Sequence, residues 1–189
     1  MFRTVIIALL LNVVRIYGQP EYHIAVGLNY SDFYGYLDVE RSVYRELQVE
    51  FAEKASIMAG IEVNGDINKT LSYRTGVVYR ESGTNGYPMQ VMSMPVIMLI
   101  RMGGLKFGGG FSPSILLNNF SYDNRQYSFP LHLLVSFKIL NRLHVSVGHL
   151  RQFNPTITIN SANFDSPRMI PEVDKRLHDT YLSLSYSLF

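Results

Sequence analysis

Cysteine and tryptophan are absent from this chain, and charged side chains make up only 17% of its 189 residues. Without cysteine there is neither a disulfide framework nor a lipoprotein attachment site. Past residue 18 no apolar run is long enough to cross a bilayer as a helix, which takes ~20 residues. An excess of one charge sign is missing too. Of seventeen Lys and Arg, Arg3 and Arg15 fall in the first eighteen residues, which leaves fifteen against fifteen Asp and Glu. A neutral chain has no electrostatic footprint for a phosphate backbone, so nucleic-acid binding is excluded.

What is present begins with MFRTVIIALLLNVVRIYG. Arg3 supplies a positive head, Val5–Val14 an apolar core, and Gly18 a small residue before Gln19. The expected division is therefore a signal peptide at 1–18 and one domain at 19–189, with an uncleaved N-terminal anchor as the alternative.

After that segment the dominant signal is alternation with period two. Ile24, Val26, Leu28 and Tyr30 oppose His23, Ala25, Gly27 and Asn29; Ile57, Ala59, Ile61 and Val63 oppose Met58, Gly60 and Glu62. Leu71, Tyr73, Thr75, Val77 and Tyr79 oppose Ser72, Arg74, Gly76 and Arg80. Phe129, Leu131, Leu133, Val135 and Phe137 oppose Ser128, His132, Ser136 and Lys138. Leu143, Val145 and Val147 oppose His144, Ser146 and Gly148, and Leu182 to Leu188 oppose Ser183, Ser185 and Ser187. The second face is small, with scattered Arg, Lys, Glu and His. A solvated face would carry more charge, whereas a narrow barrel lumen suits small residues, so the apolar face is expected to meet lipid. A soluble exported ligand-binding barrel is the opposite reading, with the apolar face inward.

The connections support lipid outside. Residues 32–54, 81–88, 118–126 and 153–178 are long or intermediate, and they alternate with short links at 64–68, 102–104 and 140–142. An up-and-down barrel with tight turns at one end and loops at the other produces that rhythm. The expected fold is all-β: an eight-stranded antiparallel up-and-down transmembrane β-barrel. The segment VMSMPVIMLIRMGGLKFGGGF then reads as strand, turn and strand, with Met89–Arg101 and Leu105–Leu117 as the strands. Pro95 and Pro113 each remove a ladder donor where a closed barrel has no free edge, so both are expected near strand ends or bulges.

Chemistry is sparse. Arg74, Arg80, Lys106, Lys138, Glu62, His23, His132 and His144 form the expected lumen set, and a satisfied polar interior explains them better than an ion path or metal site. The three histidines lack any ligand spacing, so no metal is assigned. GGLKFGGG lacks the Lys-Ser/Thr ending of a phosphate loop, and no cofactor is assigned. Asn29, Asn68 and Asn119 begin Asn-x-Ser/Thr triplets that chance explains. Residues 39–55 fit either a helical stripe or a strand extension. A lipid-modifying enzyme would need a base and nucleophile at the rim, such as His149 with Ser183 or Ser185; nothing in sequence pairs them, and no catalytic residue is assigned.

Several stretches carry a resemblance: IAVGLNYSDF, GIEVNGDINKTLSYRTGVVYRESG, MPVIMLI followed by LKFGGGFSPSILL, VSVGHLRQFNPTI, and the terminal LSLSYSLF. Together they resemble the PorT-like outer-membrane β-barrel proteins of Gram-negative bacteria, relatives in architecture of the small OmpA/OmpX barrels. The chain departs from that pattern at Val96-Ile97-Met98, where a cation follows only at Arg101, and at Leu188, where the last alternation falls instead of on Phe189. The resemblance implies residence in the outer membrane with its lipids as partners. It also implies recognition by the barrel-assembly machinery through the C-terminal strand and a link to protein secretion. A lumen filled by side chains leaves a structural or interactive role, carried by the loops at 32–54 and 153–178 toward an unknown extracellular or envelope protein partner.

Overall fold

The computed structural model describes residues 20–34, 54–83, 88–118, 127–153, 157–159 and 173–188. The expected signal peptide lies outside them, as does the 39–55 segment but for Lys54 and Ala55, which begin a strand. Wherever β-branched and aromatic residues alternate with small ones, the chain is extended. The strands are β1 (Glu21–Tyr34), β2 (Lys54–Asp66), β3 (Leu71–Gly83), β4 (Pro88–Ser93), β5 (Val96–Met102) and β6 (Leu105–Phe111). They continue with β7 (Ser114–Leu116), β8 (Tyr127–Ser128), β9 (Leu131–Leu140), β10 (Leu143–Arg151), β11 (Ile157–Ile159) and β12 (Val173–Ser187).

Three pairs among these are halves of one stave each: β4 with β5, β6 with β7, and β8 with β9. β11 is a short flap on β12. That leaves eight staves. Each pairs antiparallel with its neighbours in sequence, and β1 pairs with β12, so the ring of hydrogen-bonded neighbours closes. Stepping straight across the wall gives Tyr22, Val63, Thr75, Val96, Phe111, Leu131, Arg151, His178 and then Asp32. The path returns to β1 ten residues from its start. Ten residues of stagger over eight staves require a tilt of about 40° and a radius of roughly 8 Å.

At that radius the two faces have different solvents. Ile24, Val26, Leu28, Ile61, Met98, Val135, Leu182 and Leu184 all stand exposed on the outer face. Leu28 is 64% exposed, whereas its inward neighbour Asn29 is 1% exposed. An apolar belt turned outward and a polar set turned inward is the polarity of a membrane barrel, and it runs against the soluble reading. Turns at Ile67–Thr70, Gly103-Gly104 and Asn141-Arg142 close one end, level with Ser187. Gly103 takes φ +62°, a left-handed conformation that suits glycine in so tight a turn.

The prolines divide staves without shifting them. Thr75 pairs with Val96 and Val78 with Ser93, so the register of β3 is the same on both sides of Met94-Pro95. The same holds at Ser112-Pro113 and at Phe129-Pro130, the third break, which the alternation had run through as one strand. Each proline does sit at a strand end, because it makes that end, and none introduces a bulge. The glycine run is explained by close approach. A Cβ on Gly108 or Gly110 would strike the carbonyl oxygens of Met98 or Val96 on β5, while Gly109 points the other way.

Candidate functional site

Inward positions of β1, β2, β3, β9 and β10 place a polar network near the short-turn end. The Arg74 guanidinium donates to Asn64 Oδ1 at 3.0 Å, Ser146 Oγ at 3.1 Å and Ser136 Oγ at 3.1 Å. It also lies 3.6 Å from the Glu62 carboxylate, with both groups almost fully buried. His23 and His144 meet edge to face at 5.3 Å. His23 Nε2 lies 3.4 Å from the Glu21 carboxylate without hydrogen-bond alignment.

Toward the loop end a second network surrounds Asp179. Its carboxylate accepts from Ser31 Oγ at 2.6 Å, Arg80 Nε at 2.9 Å, Ser82 Oγ at 3.1 Å and Asn29 Nδ2 at 3.3 Å. Arg80 also donates to Ser93 Oγ at 2.6 Å. Between the networks lies an apolar cluster of Met58, Val78, Ile97, Leu99, Leu134, Leu150 and Tyr181. Side chains thus fill the cross-section, as expected for a barrel this narrow.

A cavity of about 10 Å³, room for roughly one water, is bordered by Glu62, Arg80, Ser93, Pro95, Ser112, His132 and Tyr181 among others. Along its wall Ser112 Oγ meets His132 Nδ1 at 2.7 Å, and His132 Nε2 meets Tyr181 Oη at 2.7 Å. A hydroxyl, an imidazole and a phenol in a row have the make-up of a nucleophile, base and orienting group. Ser112 is 1% exposed and His132 5%, so the row lies inside the barrel and ties its interior strands together.

Of the expected lumen set, Glu62, Arg74, Arg80, His23, His132 and His144 are buried inside. Lys106 lies at the edge of the interior, 4.0 Å from Asp66, which Arg101 also binds. Lys138 differs: it keeps the inward register of β9, yet it sits beside the Asn141-Arg142 turn and is exposed. The imagined rim pair does not form. His149 contacts Thr180 Oγ1 at 2.9 Å and packs against His178, on the opposite face from the buried Ser183 and Ser185. Among the described residues no three His, Asp or Glu converge as a metal ligand set.

The backbone architecture is similar to that of Ail, the attachment invasion locus protein of Yersinia pestis. The two are 9% identical with a TM-score of 0.50, over 89% of this chain and 98% of that one. The fold is that of a small outer-membrane β-barrel. Fainter likenesses join it to the outer membrane protein OprG of Pseudomonas aeruginosa (10% identity, TM-score 0.45, 91% and 97% covered). Neisserial surface protein A is similar at 8% identity and a TM-score of 0.46, with 88% and 97% covered. No protein-family model matches the chain, and no curated protein matches it in sequence.

One tyrosine of the barrel, Tyr181, was hidden from sequence reasoning, and a second, Tyr73, keeps its expected face but has a partner the sequence did not show. Tyr181 lies inside, its ring across Gly148 of the neighbouring strand, and Tyr73 lies outside across Gly65. Each fills the place of a missing side chain on the adjacent stave. The signal that could have found them is a glycine directly across the ladder, and that needs the register.

Proposed function

We propose that this chain is an integral outer-membrane protein of a Gram-negative bacterium, of the PorT-like kind, and that it works by presenting its loops. The observation that carries the reading is the filled interior: two polar networks centred on Arg74 and on Asp179, with an apolar layer between them. A barrel filled in this way offers no aqueous path, so its work falls to the loops that join the staves at the end opposite the short turns, 32–54 and 153–178 above all. The role is structural or interactive, with an extracellular or envelope protein as partner and a contribution to protein secretion as the resemblance implies. Insertion is expected through the barrel-assembly machinery, and no catalytic activity is expected.

The test combines fractionation with conductance. The protein should enter the outer-membrane fraction and migrate differently before and after boiling. Reconstituted in a planar bilayer, it should give no sustained channel. A soluble fraction would overturn the membrane reading, and steady open-channel current would overturn the closed lumen.

A further inference from the structure

The two halves of the interior are satisfied unequally. Around Asp179 the hydroxyls of Ser31, Ser82 and Ser93 are all bonded, and among the described residues only Asn29 Oδ1 there lacks a partner. The Arg74 half differs. His23 Nδ1 and Nε2, Glu62 Oε2 and the hydroxyls of Ser72, Ser183 and Ser185 are buried there without a hydrogen bond. Several of these residues are ladder neighbours on the inner face. His23 stands opposite Glu62, while Ser183 and Ser185 stand opposite Ser146 and His144. Side chains so placed have Cβ atoms about 5 Å apart, a gap that one water bridges. Small residues leave room beside them, Gly27 opposite Ser183 and Ala25 opposite Ser185. Glu62 also borders the cavity of about 10 Å³ whose wall carries Tyr181 and Ser112.

We propose that the short-turn half of the lumen binds a short file of buried waters, running from this cavity past Glu62, Ser183 and Ser185 to His23. The proposal deepens the filled-interior reading above and rests on it: the file is confined to one half and does not cross the barrel. Buried polar groups are almost always hydrogen-bonded, and where protein supplies no partner an ordered water does. A water donates to the Glu62 carboxylate oxygen and serves either nitrogen of a neutral imidazole, which needs one donor and one acceptor. An ion fits less well, because the fixed charges already pair. Arg74 lies beside Glu62, Arg80 beside Asp179, Arg101 and Lys106 beside Asp66, and Glu21 beside His23. The serines of β12 then have a purpose that packing alone does not give them: they line the file.

Water-edited solid-state NMR on the whole chain in lipid bilayers tests the file. Magnetisation should pass from water to the Glu62 side chain, the His23 ring and the Cβ atoms of Ser183 and Ser185, and it should not reach Ser31 or Ser82. Ser185→Val puts a methyl where the hydroxyl was and should abolish the transfer at His23. If that variant does not assemble, the wild-type signals decide alone. An inserted barrel in which Glu62, His23, Ser183 and Ser185 receive no magnetisation overturns the file. So does transfer of equal strength at Ser31 and Ser82, which marks a lumen hydrated throughout. A shift of the Glu62 carboxyl carbon when sodium is exchanged for lithium also overturns it, because an ion then stands in place of water. A chain with no heat-dependent mobility shift instead overturns the membrane reading, and sustained channel current overturns the filled interior.

Discussion

Met94 donates its amide proton to the carbonyl of Pro113 at 2.8 Å, and Pro113 has no proton to return. Ser112 stands in the same relation to Pro130, donating at 3.0 Å. The outcomes differ. The Ser112 carbonyl, left without its ladder donor, accepts from Ser114 Oγ at 2.7 Å. Among the described residues nothing donates back to the Met94 carbonyl. In a wall without water an unmade backbone bond is costly. Pro113→Ala should therefore stabilise the barrel by about 1 kcal/mol, the net value of one hydrogen bond. Pro130→Ala should change little. Urea unfolding in lipid vesicles measures both, and equal gains would show that the Ser114 hydroxyl does not compensate.

The glycine run gives an alternating prediction. Ala at position 108 or 110 pushes a methyl into the carbonyls of β5, so each should destabilise by roughly 2 kcal/mol, as overpacking does. Ala at 109 meets only the His132 carbonyl and the end of the Leu133 side chain, both at 3.1 Å. It should cost less than either neighbour. The same unfolding measurement checks all three, and a flat response would mean that the glycines serve the turn, not the close approach of β5 and β6.

Much of this was legible before any coordinates. Period-two alternation placed every stave, and the choice of small residues for the second face gave the polarity, because a narrow lumen admits little else. The rhythm of connections gave the closed up-and-down order. Partnership across the lumen was not legible. Arg80 and Asp179 are 99 residues apart and meet only because the stagger lifts β12 to the height of β3. Asp179 itself lies just beyond the 153–178 segment assigned to a loop, so it never entered the expected lumen set. Tyr181 was hidden for a related reason: its inward turn depends on Gly148, and only the register reveals that pairing.

Lipid facing is tested at adjacent residues. Leu133 is 51% exposed, and Leu134 is 1% exposed inside the apolar cluster. Leu133→Arg near the middle of the belt should cost about 2–4 kcal/mol by placing a cation in hydrocarbon. Leu133→Phe keeps the face apolar and should be neutral within measurement. Leu134→Ala opens a void beside Ile97 and Leu99 and should cost about 2–5 kcal/mol, while leaving insertion intact. An unaffected assembled yield for Leu133→Arg would reverse the assignment of faces.

The Arg80–Asp179 pair separates the cost of a broken ion pair from the worth of an intact one. Both groups are almost fully buried, and four donors surround the carboxylate. Asp179→Asn removes the charge and turns one acceptor into a donor that faces donors, so Arg80 is left buried without a counter-ion. The expected loss is about 3–5 kcal/mol, the usual cost of stranding a buried charge. Adding Arg80→Met removes the stranded cation and replaces it with an apolar chain of similar length beside Val78 and Met58. The double variant should therefore recover part of the loss, even though it has no ion pair at all. A double-mutant cycle from equilibrium unfolding decides the matter. If the double variant is as unstable as the sum of the two single losses, the pair acts as two independent hydrogen-bonding groups, and the outer network owes its stability to the serines and Asn29.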